Sequence, residues 1–356
     1  MVYSIHYLRG IAAIFVVFFH FRLMLNGVYA QKDIGNILFG GGFFGVDLFF
    51  MISGFVIAIS TEKNNSKSSF LLKRIFRIYP VYLFTMFIFL IMYIGDINFW
   101  YVVRAIFFTQ LSYNMDAPFF GYSVIAVAWT LSYEVLFYFI FLISMMISHK
   151  YRAAVCSVVI VASFALINLV FKNDNFLDAH KTIDYHGPFQ PILKLMSSPM
   201  ILEFVVGIIL YYLYKSIKKY DLTAISKKIY PFLVLCLMIL SLNILFNDAS
   251  DHGIKIFGAS CFLLIFILLL LDSSGFIGNN RALVFLGDIS YSLYISHLVT
   301  KYALTNYVNI SLLSDNGFLK FSVYVLISLI FAFILHKLIE IPFIRVCRKI
   351  TTNKAI

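Results

Sequence analysis

Long runs of apolar residues, separated by short polar connections, recur along the whole chain. A run of about 20 residues is long enough to cross a hydrocarbon core of ~30 Å as an α-helix. The pattern predicts ten such helices, near residues 7–26, 42–60, 75–95, 122–148, 152–171, 197–214, 229–246, 253–271, 282–305 and 318–343. No stretch is long and polar enough for a separate soluble domain. We therefore expect residues 1–356 to form one all-α, membrane-embedded domain, with no appended soluble domain.

The polar connections differ in their content of lysine and arginine, and this difference predicts the orientation of the bundle. One alternate set of connections contains 17 basic residues, among them Lys63, Arg152 and the tail residue Lys354, whereas the other set contains five. Because cytoplasmic connections are enriched in lysine and arginine, both termini are predicted to be cytoplasmic. The first apolar run is too long for a signal-peptide core, so we expect it to remain as a membrane helix.

Composition supports a membrane protein and excludes several other classes. Of the 356 residues, 62% are hydrophobic and 13% are charged, whereas soluble domains have about 45–50% apolar residues. The formal net charge of +11 would suit a nucleic-acid-binding protein, but the basic residues are spread between apolar runs and do not form one face. The four cysteines show neither disulfide nor metal-binding spacing, so no metal cofactor is expected.

A small set of ionisable side chains falls inside the predicted membrane helices, where an unpaired charge is costly and such residues are candidates for function. Arg9 and His20 are eleven residues apart in the first helix, which places them on one face and roughly 16 Å apart in depth. By the same rise per residue, His20, Asp47, Glu134 and His297 each lie roughly 20 Å from the predicted cytoplasmic ends of their helices. Four titratable groups from four helices are thus expected to share one layer.

Three arginines are predicted to lie closer to the cytoplasm. Arg9 and Arg77 fall within about the first turn of their predicted helices, and Arg74 falls just outside the third helix. The sequence therefore predicts a polar cavity with a cationic cytoplasmic mouth and acid–base groups at its inner end. Each residue also has a structural interpretation, because arginines at helix ends anchor topology and buried polar groups often serve only as hydrogen-bond partners.

Six short motifs occur in order along this helical background. They are Arg-x10-His (Arg9, His20), FFGVDLFFMISGF, Arg-x-x-Arg-x-x-Pro (Arg74, Arg77, Pro80), WTLSYE, LGDISYSLYISH and IEIPF (Glu340, Pro342). In this combination the chain resembles the acyltransferase 3 family of integral membrane acyltransferases over nearly its full length. The resemblance implies transfer of an acyl group, commonly acetyl, from acyl-CoA to hydroxyls of cell-surface glycans at the bacterial inner membrane. It also implies that the two arginine motifs carry activity.

The arginines and His20 fit the chemistry that this resemblance implies. Guanidinium groups make bidentate, charge-assisted contacts with phosphates, so Arg9, Arg74 and Arg77 are predicted to bind acetyl-CoA or another short acyl-CoA. His20 is predicted to act as general base on the acceptor hydroxyl, since an imidazole accepts a proton near neutral pH. A covalent acyl-histidine is the alternative mechanism.

The remaining candidates receive accessory roles in the same reaction. Glu134 or Asp47 is predicted to orient the His20 imidazole, as the carboxylate does in serine-hydrolase triads. His297 or Tyr291 is predicted to donate a hydrogen bond to the developing oxyanion.

The acceptor is expected to be O-antigen, exopolysaccharide or another lipid-linked glycan. Aromatic residues in the predicted outer loops, such as Trp100 and Tyr122, suit interface anchoring first and sugar stacking second. Two other classes of protein stay open. A proton-coupled transporter would also bury histidine and carboxylate groups but should ignore CoA thioesters, and a scaffold or flippase partner would release no CoA.

Overall fold

The computed structural model describes residues 2–93, 95–220, 223–246, 252–308 and 316–353. Within these ranges the chain is a bundle of helices without β-strands. The α-helices are α1 Tyr3–Phe21, α2 Ile34–Phe39, α3 Phe44–Ser60, α4 Lys67–Met92, α5 Phe99–Ile106, α6 Trp129–Ile147, α7 Arg152–Val170, α8 Gln190–Ser197, α9 Leu202–Tyr220, α10 Thr223–Lys228, α11 Tyr230–Leu245, α12 Ala259–Ser273, α13 Arg281–Tyr307, α14 Phe318–Leu335 and α15 Ile341–Asn353.

Most of these helices are long and apolar enough to cross a membrane. Among the described residues nine helical segments meet that description, namely Tyr3–Leu25, Ile34–Ser60, Lys67–Met92, Ala126–Ile147, Arg152–Val170, Pro199–Tyr220, Ile254–Ser273, Arg281–Tyr307 and Phe318–Thr352. The predicted helix that is missing from these nine is the one near residues 229–246, which is α11; its 16 residues reach only about 24 Å. The prediction of an all-α, polytopic membrane bundle is therefore confirmed, and α11 is shorter than the nine membrane-spanning segments.

The third predicted helix begins earlier than the apolar pattern indicated. α4 starts at Lys67 because the Ser66 side chain caps it, accepting a hydrogen bond from the backbone N–H of Ser69. Arg74 therefore lies about two turns inside α4, and Arg77 lies almost one turn further in. The prediction that Arg74 lies outside the helix was wrong because a polar first turn precedes the apolar run.

The last predicted helix is two helices joined by a π-helical turn, His336–Glu340. Glu340 of this turn is buried and accepts hydrogen bonds from Ser292 Oγ and His336 Nδ1, both at 2.9 Å. The IEIPF motif therefore marks a joint that is attached to α13, and the basic helix α15 follows it.

Glycines allow two pairs of helices to approach until their backbones are in contact. A Cβ on Gly10 of α1 would lie 2.7 Å from the backbone nitrogen of Gly287 in α13, and a Cβ on Gly207 of α9 would overlap the carbonyl oxygen of Met51 in α3. Small residues of this kind support helix association in lipid, because close approach increases van der Waals contact. The pairs α1–α13 and α3–α9 form the frame that carries the polar residues described below.

The bundle has two ends, which we name the inner face and the outer face. The inner face is the end at which α1 begins, and there Ser4 bonds to Asp272 and Arg152 bonds to Thr61. The outer face is the opposite end, at which α1 ends. Lys354, which the positive-inside count includes, lies outside the described residues.

Candidate active site

Among the described residues, one cavity enters the bundle from the inner face and another from the outer face. The inner cavity has a volume of about 460 Å³ and reaches from Lys73 and Arg348 to Thr130. The outer cavity has a volume of about 550 Å³ and lies beneath the outer connections. Val46 and Tyr294 line both cavities. These two side chains therefore form a partition between an inner and an outer compartment.

The inner cavity is strongly cationic. Its basic lining residues are Arg9, Lys73, Arg74, Arg77 and Arg348, and Glu134 is the only carboxylate among the described residues of its wall. Lys73 and Arg348 are exposed, whereas Arg9, Arg74 and Arg77 are half-buried. The cations thus extend from the mouth of the cavity into its interior.

Two of these arginines retain donors that are available for a ligand. Arg9 donates from Nη2 to Ser290 Oγ at 3.1 Å, and Arg74 donates from Nη2 to Ser60 Oγ at a long 3.4 Å. The Nε of Arg74 is buried and has no acceptor among the described residues. Buried guanidinium donors without acceptors suit an anion with several oxygens, such as a phosphate.

Glu134 and Tyr291 also belong to the inner cavity. Glu134 accepts hydrogen bonds from Ser53 Oγ, at 3.2 Å, and from the Tyr138 hydroxyl. Tyr291 donates its hydroxyl proton to the carbonyl oxygen of Ile78 at 2.7 Å. The structure thus places both candidates on the arginine side of the partition.

His20 lies in the last turn of α1 and lines the outer cavity. Its Nδ1 is 2.8 Å from the carbonyl oxygen of Val16, and because a carbonyl can only accept, Nδ1 carries the proton. The lone pair of the neutral ring therefore resides on Nε2, which makes no hydrogen bond with the described residues. His20 thus offers a basic nitrogen to the outer cavity.

His297 packs directly behind His20. The two ring centroids are 4.9 Å apart, and His297 is completely buried. His297 Nδ1 lies 3.2 Å from the Leu293 carbonyl oxygen and donates to it, so the Nε2 of His297 is an acceptor. This Nε2 lies 3.2 Å from His20 Nδ1, whose proton is therefore shared between the Val16 carbonyl oxygen and His297. The contact fixes the orientation of the His20 ring.

Asp47 is paired with a histidine that the sequence analysis did not single out. Its carboxylate accepts hydrogen bonds from the Gly253 backbone N–H at 2.7 Å and from His252 Nδ1 at 3.1 Å. His252 lines the outer cavity together with His20. The four titratable groups predicted to share one layer are therefore separated: His20 contacts His297, Asp47 contacts His252, and Glu134 lies on the other side of the partition, in the inner cavity.

Aromatic side chains form another wall of the outer cavity. Phe119 stacks on Tyr122 with ring centroids 4.9 Å apart and meets Trp129 edge-on at the same distance. Burial raises the pKa of Tyr122, so its phenol keeps its proton and can donate. Flat aromatic surfaces beside hydroxyl and imidazole groups suit a sugar ring.

A sequence model described as an acyltransferase domain matches residues 2–337. The match spans nearly the whole chain and contains every candidate residue named above except Arg348. The chain belongs to the acyltransferase 3 family. Within this acyltransferase, part of the inner cavity wall lies beyond the family match, because Cys347 and Arg348 of α15 also line that cavity.

Several curated proteins are similar to this acyltransferase. The "Putative acetyltransferase" of Acidianus two-tailed virus is 26% identical, covering 82% of this chain and 81% of its own length. A "Putative O-acetyltransferase" of Staphylococcus aureus strain COL is 25% identical over 90% of this chain, which spans 56% of the staphylococcal protein. The "Exopolysaccharide production protein ExoZ" of Rhizobium meliloti is 26% identical, covering 71% of this chain and 74% of its own length. No solved structure matches the chain significantly.

Sequence reasoning missed three polar residues of this acyltransferase. His180 and His252 lie in outer connections, where no helical spacing relates them to His20. Arg348 was counted only as a topological charge of the tail. A signal was present only for Arg348, in the basic cluster Arg345, Arg348 and Lys349 that follows the last apolar run.

Proposed function

We propose that this acyltransferase moves a short acyl group, in the first instance acetyl, from acyl-CoA to a hydroxyl of a cell-surface or lipid-linked glycan. The observation that carries the proposal is the position of His20. Its basic Nε2 faces a cavity that shares walls with a second cavity rich in arginine. The names of the staphylococcal and rhizobial relatives, which mention O-acetyl transfer and exopolysaccharide production, support a glycan such as exopolysaccharide; O-antigen is the alternative acceptor. The bacterial inner membrane is the corresponding location.

The inner cavity suits the CoA part of the donor. Its five cations supply guanidinium and ammonium donors for phosphates, and the exposed pair Lys73 and Arg348 stands at the mouth. A pantetheine arm extends on the order of 15–20 Å at a peptide-like rise per bond. Along α1 the distance from Arg9 to His20 is roughly 16 Å. A donor held by the arginines thus brings its thioester to the partition at Val46 and Tyr294.

The outer cavity suits the acceptor and the proton transfer. In the proposed reaction His20 Nε2 takes the proton of the acceptor hydroxyl while the hydroxyl oxygen attacks the thioester carbonyl carbon. The carbon–sulfur bond then breaks, and the CoA thiolate receives the proton from His20. His297 is a positioning residue here, because it holds the Nδ1 side of His20. The products are an ester and free CoA, and no other reactant is required.

Thermal stabilisation by ligand tests the donor site directly, because a ligand that binds the folded state raises the melting temperature. The protein in nanodiscs is heated with acetyl-CoA or with free CoA, as wild type and as the Arg74→Ala/Arg77→Ala double variant. We expect a clear shift in the wild type and its loss in the double variant. The matched control is Lys218→Ala/Lys219→Ala, which removes two basic residues at the inner end of α9, outside the cavity lining.

Two results would contradict the proposed donor site. One is wild-type protein, shown to be folded by its own melting transition, that no short acyl-CoA stabilises. The other is stabilisation that survives in the Arg74→Ala/Arg77→Ala variant to the same extent as in the control.

A further inference from the structure

One arginine, Arg22, lines the outer cavity in the helical turn directly after α1. Its guanidinium lies over the Phe19 ring, with Cζ 3.8 Å from the ring centroid. Nη1 donates to the Phe19 carbonyl oxygen at 2.7 Å, and Nε donates to Asn36 Oδ1 of α2 at 3.1 Å. The ring and the two hydrogen bonds together hold the guanidinium in one orientation at the cavity wall.

Arg22 and Asn36 retain N–H donors that have no acceptor in the described part of the chain. The hydrogen bonds of Arg22 occupy Nε and Nη1, whereas Nη2 makes none. Because Arg22 Nε can only donate, Asn36 presents its oxygen to it, and the Nδ2 amide group of Asn36 stays available. Both residues line the cavity. Guanidinium and amide donors side by side suit an anion with several oxygens, such as a phosphate.

The charge of Arg22 is not neutralised by the residues around it. Its hydrogen-bond partners are a carbonyl and an amide, and no carboxylate of the described residues lines the outer cavity. A second cation, Lys301 of α13, is close enough to repel Arg22, and its Nζ donates to the His20 carbonyl oxygen at 2.8 Å. Both cations are half-buried, so water screens their repulsion less than it would at the surface. A bound anion would offset this repulsion, whereas a neutral ligand would not.

Arg22 also lies at the depth at which lipid phosphates are found. It belongs to the last turn of the membrane-spanning segment Tyr3–Leu25, at the outer face, and head groups border the hydrocarbon core of a bilayer at that depth. The nearby side chains of Leu23, Ile37 and Leu38 are 57%, 43% and 36% exposed, and exposed apolar groups of this kind mark contact with a membrane. A cation among them favours a phosphate that is attached to a lipid over one that is free in water.

We propose that Arg22 and Asn36 bind a phosphate group of a membrane-anchored saccharide, which is the acceptor in the function proposed above. The inference rests on that function, because it assigns the saccharide to the acyl-transfer reaction. No bond to the phosphate forms or breaks. Arg22 follows His20 by two residues, a rise of about 3 Å along the helix axis, so the hydroxyl that meets His20 Nε2 should belong to a sugar close to the phosphate.

Binding of defined lipids to the purified protein tests this site. The protein is kept in micelles of an uncharged detergent, so that no other lipid phosphate competes. Its melting temperature is then measured during titration with a polyprenyl diphosphate, with the corresponding polyprenol or with inorganic pyrophosphate. We expect clear stabilisation by the polyprenyl diphosphate, weaker stabilisation by pyrophosphate and none by the polyprenol.

The contribution of Arg22 is measured with the variant Arg22→Gln. Because charge-assisted hydrogen bonds to the phosphate are lost, its apparent affinity for the polyprenyl diphosphate should fall about tenfold or more. Lys32→Gln is the matched control, since Lys32 is an exposed cation of the same outer connection that does not line the cavity. This control should bind the polyprenyl diphosphate like the wild type.

A second variant keeps the shape of the site and changes only its charge. Asn36→Asp retains an oxygen acceptor for Arg22 Nε but puts a carboxylate beside the guanidinium, which neutralises it and repels a phosphate. Asn36 is exposed in the first turn of α2, where an acidic residue is compatible with the helix. We expect the affinity for the polyprenyl diphosphate to fall as far as in Arg22→Gln, with the melting temperature of the unliganded protein unchanged. A purely structural role of Asn36 predicts no loss, because the hydrogen bond to Nε is kept.

Acetyl-CoA, added to the same preparations, separates the phosphate site from the proposed function. It should stabilise the wild type and the three variants equally, because Arg22, Lys32 and Asn36 do not line the inner cavity. If acetyl-CoA stabilises the wild type but the polyprenyl diphosphate does not, the phosphate site is refuted and the function stands. The same conclusion follows if the polyprenol stabilises equally well, or if Arg22→Gln binds the diphosphate like Lys32→Gln.

Two further outcomes overturn the role of the lipid phosphate in the reaction. If octyl glucuronide, an acidic sugar without phosphate, stabilises the wild type at lower concentrations than the polyprenyl diphosphate does, and Arg22→Gln abolishes this, the site binds a carboxylate. If acetyl-CoA fails to stabilise the folded wild type, the proposed function itself fails. Binding of polyprenyl diphosphate that depends on Arg22 would then show a lipid-phosphate site without a part in acyl transfer.

Discussion

The inner and outer cavities share the side chains of Val46 and Tyr294 but differ in almost every other property. The inner cavity is lined by five cations. Its carboxylate, Glu134, accepts hydrogen bonds from the hydroxyl groups of Ser53 and Tyr138. The outer cavity contains three histidines, one arginine and an aromatic wall, and no carboxylate lines it among the described residues. One compartment therefore holds fixed positive charge, whereas the other holds groups that exchange protons.

This difference separates binding from chemistry. Fixed charges recognise phosphates at any physiological pH, because guanidinium groups do not lose their protons. Histidines change charge near neutral pH and so can transfer protons during a reaction. In the proposed function, substitutions in the inner cavity should weaken donor binding. Substitutions in the outer cavity should slow acyl transfer and leave donor binding unchanged.

The largest effect is expected for His20→Ala. Loss of the general base should reduce acetyl transfer by about 10²- to 10⁴-fold, while thermal stabilisation by acetyl-CoA stays as in the wild type. The rate is measured with labelled acetyl-CoA in membranes, and the stabilisation is measured in nanodiscs. His186→Ala, on the exposed outer connection beside Asp184, is the control and should retain full activity. A variant at position 20 that keeps wild-type transfer would falsify the assignment of the base.

The next largest effect is expected for Gly207→Ala, which should damage both compartments alike. The added methyl group would overlap the Met51 carbonyl oxygen and push α9 away from α3, and overpacking of this kind costs about 1–3 kcal/mol. We expect a lower melting temperature and a parallel loss of donor stabilisation and transfer, since α3 contributes Val46 to both cavities. Gly278→Ala is the control, because no neighbouring residue lies within 4 Å of a Cβ there and Gly278 is not among the lining residues of either cavity. Loss of only one of the two functions would show that the cavities are mechanically independent.

A smaller effect is expected for Arg348→Ala at the mouth of the inner cavity. An exposed guanidinium contributes one charge-assisted contact that water screens, so we expect acetyl-CoA binding to weaken about five-fold, or about 1 kcal/mol, with no change in the rate at saturating donor. Titration of acetyl-CoA onto the protein in nanodiscs measures this. Arg345→Ala, on the same helix but outside the cavity lining, should bind like the wild type. Equal binding by both variants would exclude α15 from the donor site.

The smallest effect is expected at the inner face, away from both cavities. Lys215 donates to Glu62 at 2.6 Å, and this hydrogen bond lowers the pKa of Glu62 below 4.5. Because the folded-state pKa is lowered, the contact contributes stability above the normal pKa of Glu62 and loses it as the pH falls through the lowered value. Glu62→Gln should lower the melting temperature slightly at pH 7 and not at all near pH 3, with transfer unchanged. Since the Glu62 side chain is 37% exposed, the effect should be only a few tenths of a kcal/mol.

The sequence was sufficient to predict which residues share one face of a single helix. The eleven-residue spacing of Arg9 and His20 put both side chains on the face that meets α13, where they contact Ser290 and His297. Helical periodicity determines direction and depth, and both are local properties. The count of helices followed from the same local signal.

The sequence was not sufficient where the outcome depends on lateral packing. Depth alone could not show that Asp47 faces His252 and not His20, because the choice depends on how α3, α9 and α12 pack. The same limit applies to Glu134, which bonds Ser53 and lies on the inner side of the partition. The early start of α4 was missed because a serine cap overrides the end of the apolar run.

The contact between Gly10 and Gly287 has a consequence for the synthesis of the protein. α1 leaves the ribosome before α13, its partner at backbone distance, which is made more than 270 residues later. Residues of α1 and α13 together line both cavities, with Arg9 and Ser290 in one and His20 and Leu298 in the other. Neither compartment is complete until α13 has been inserted, so the nascent chain holds α1 in the membrane without its final partner while the segments between α1 and α13 are made.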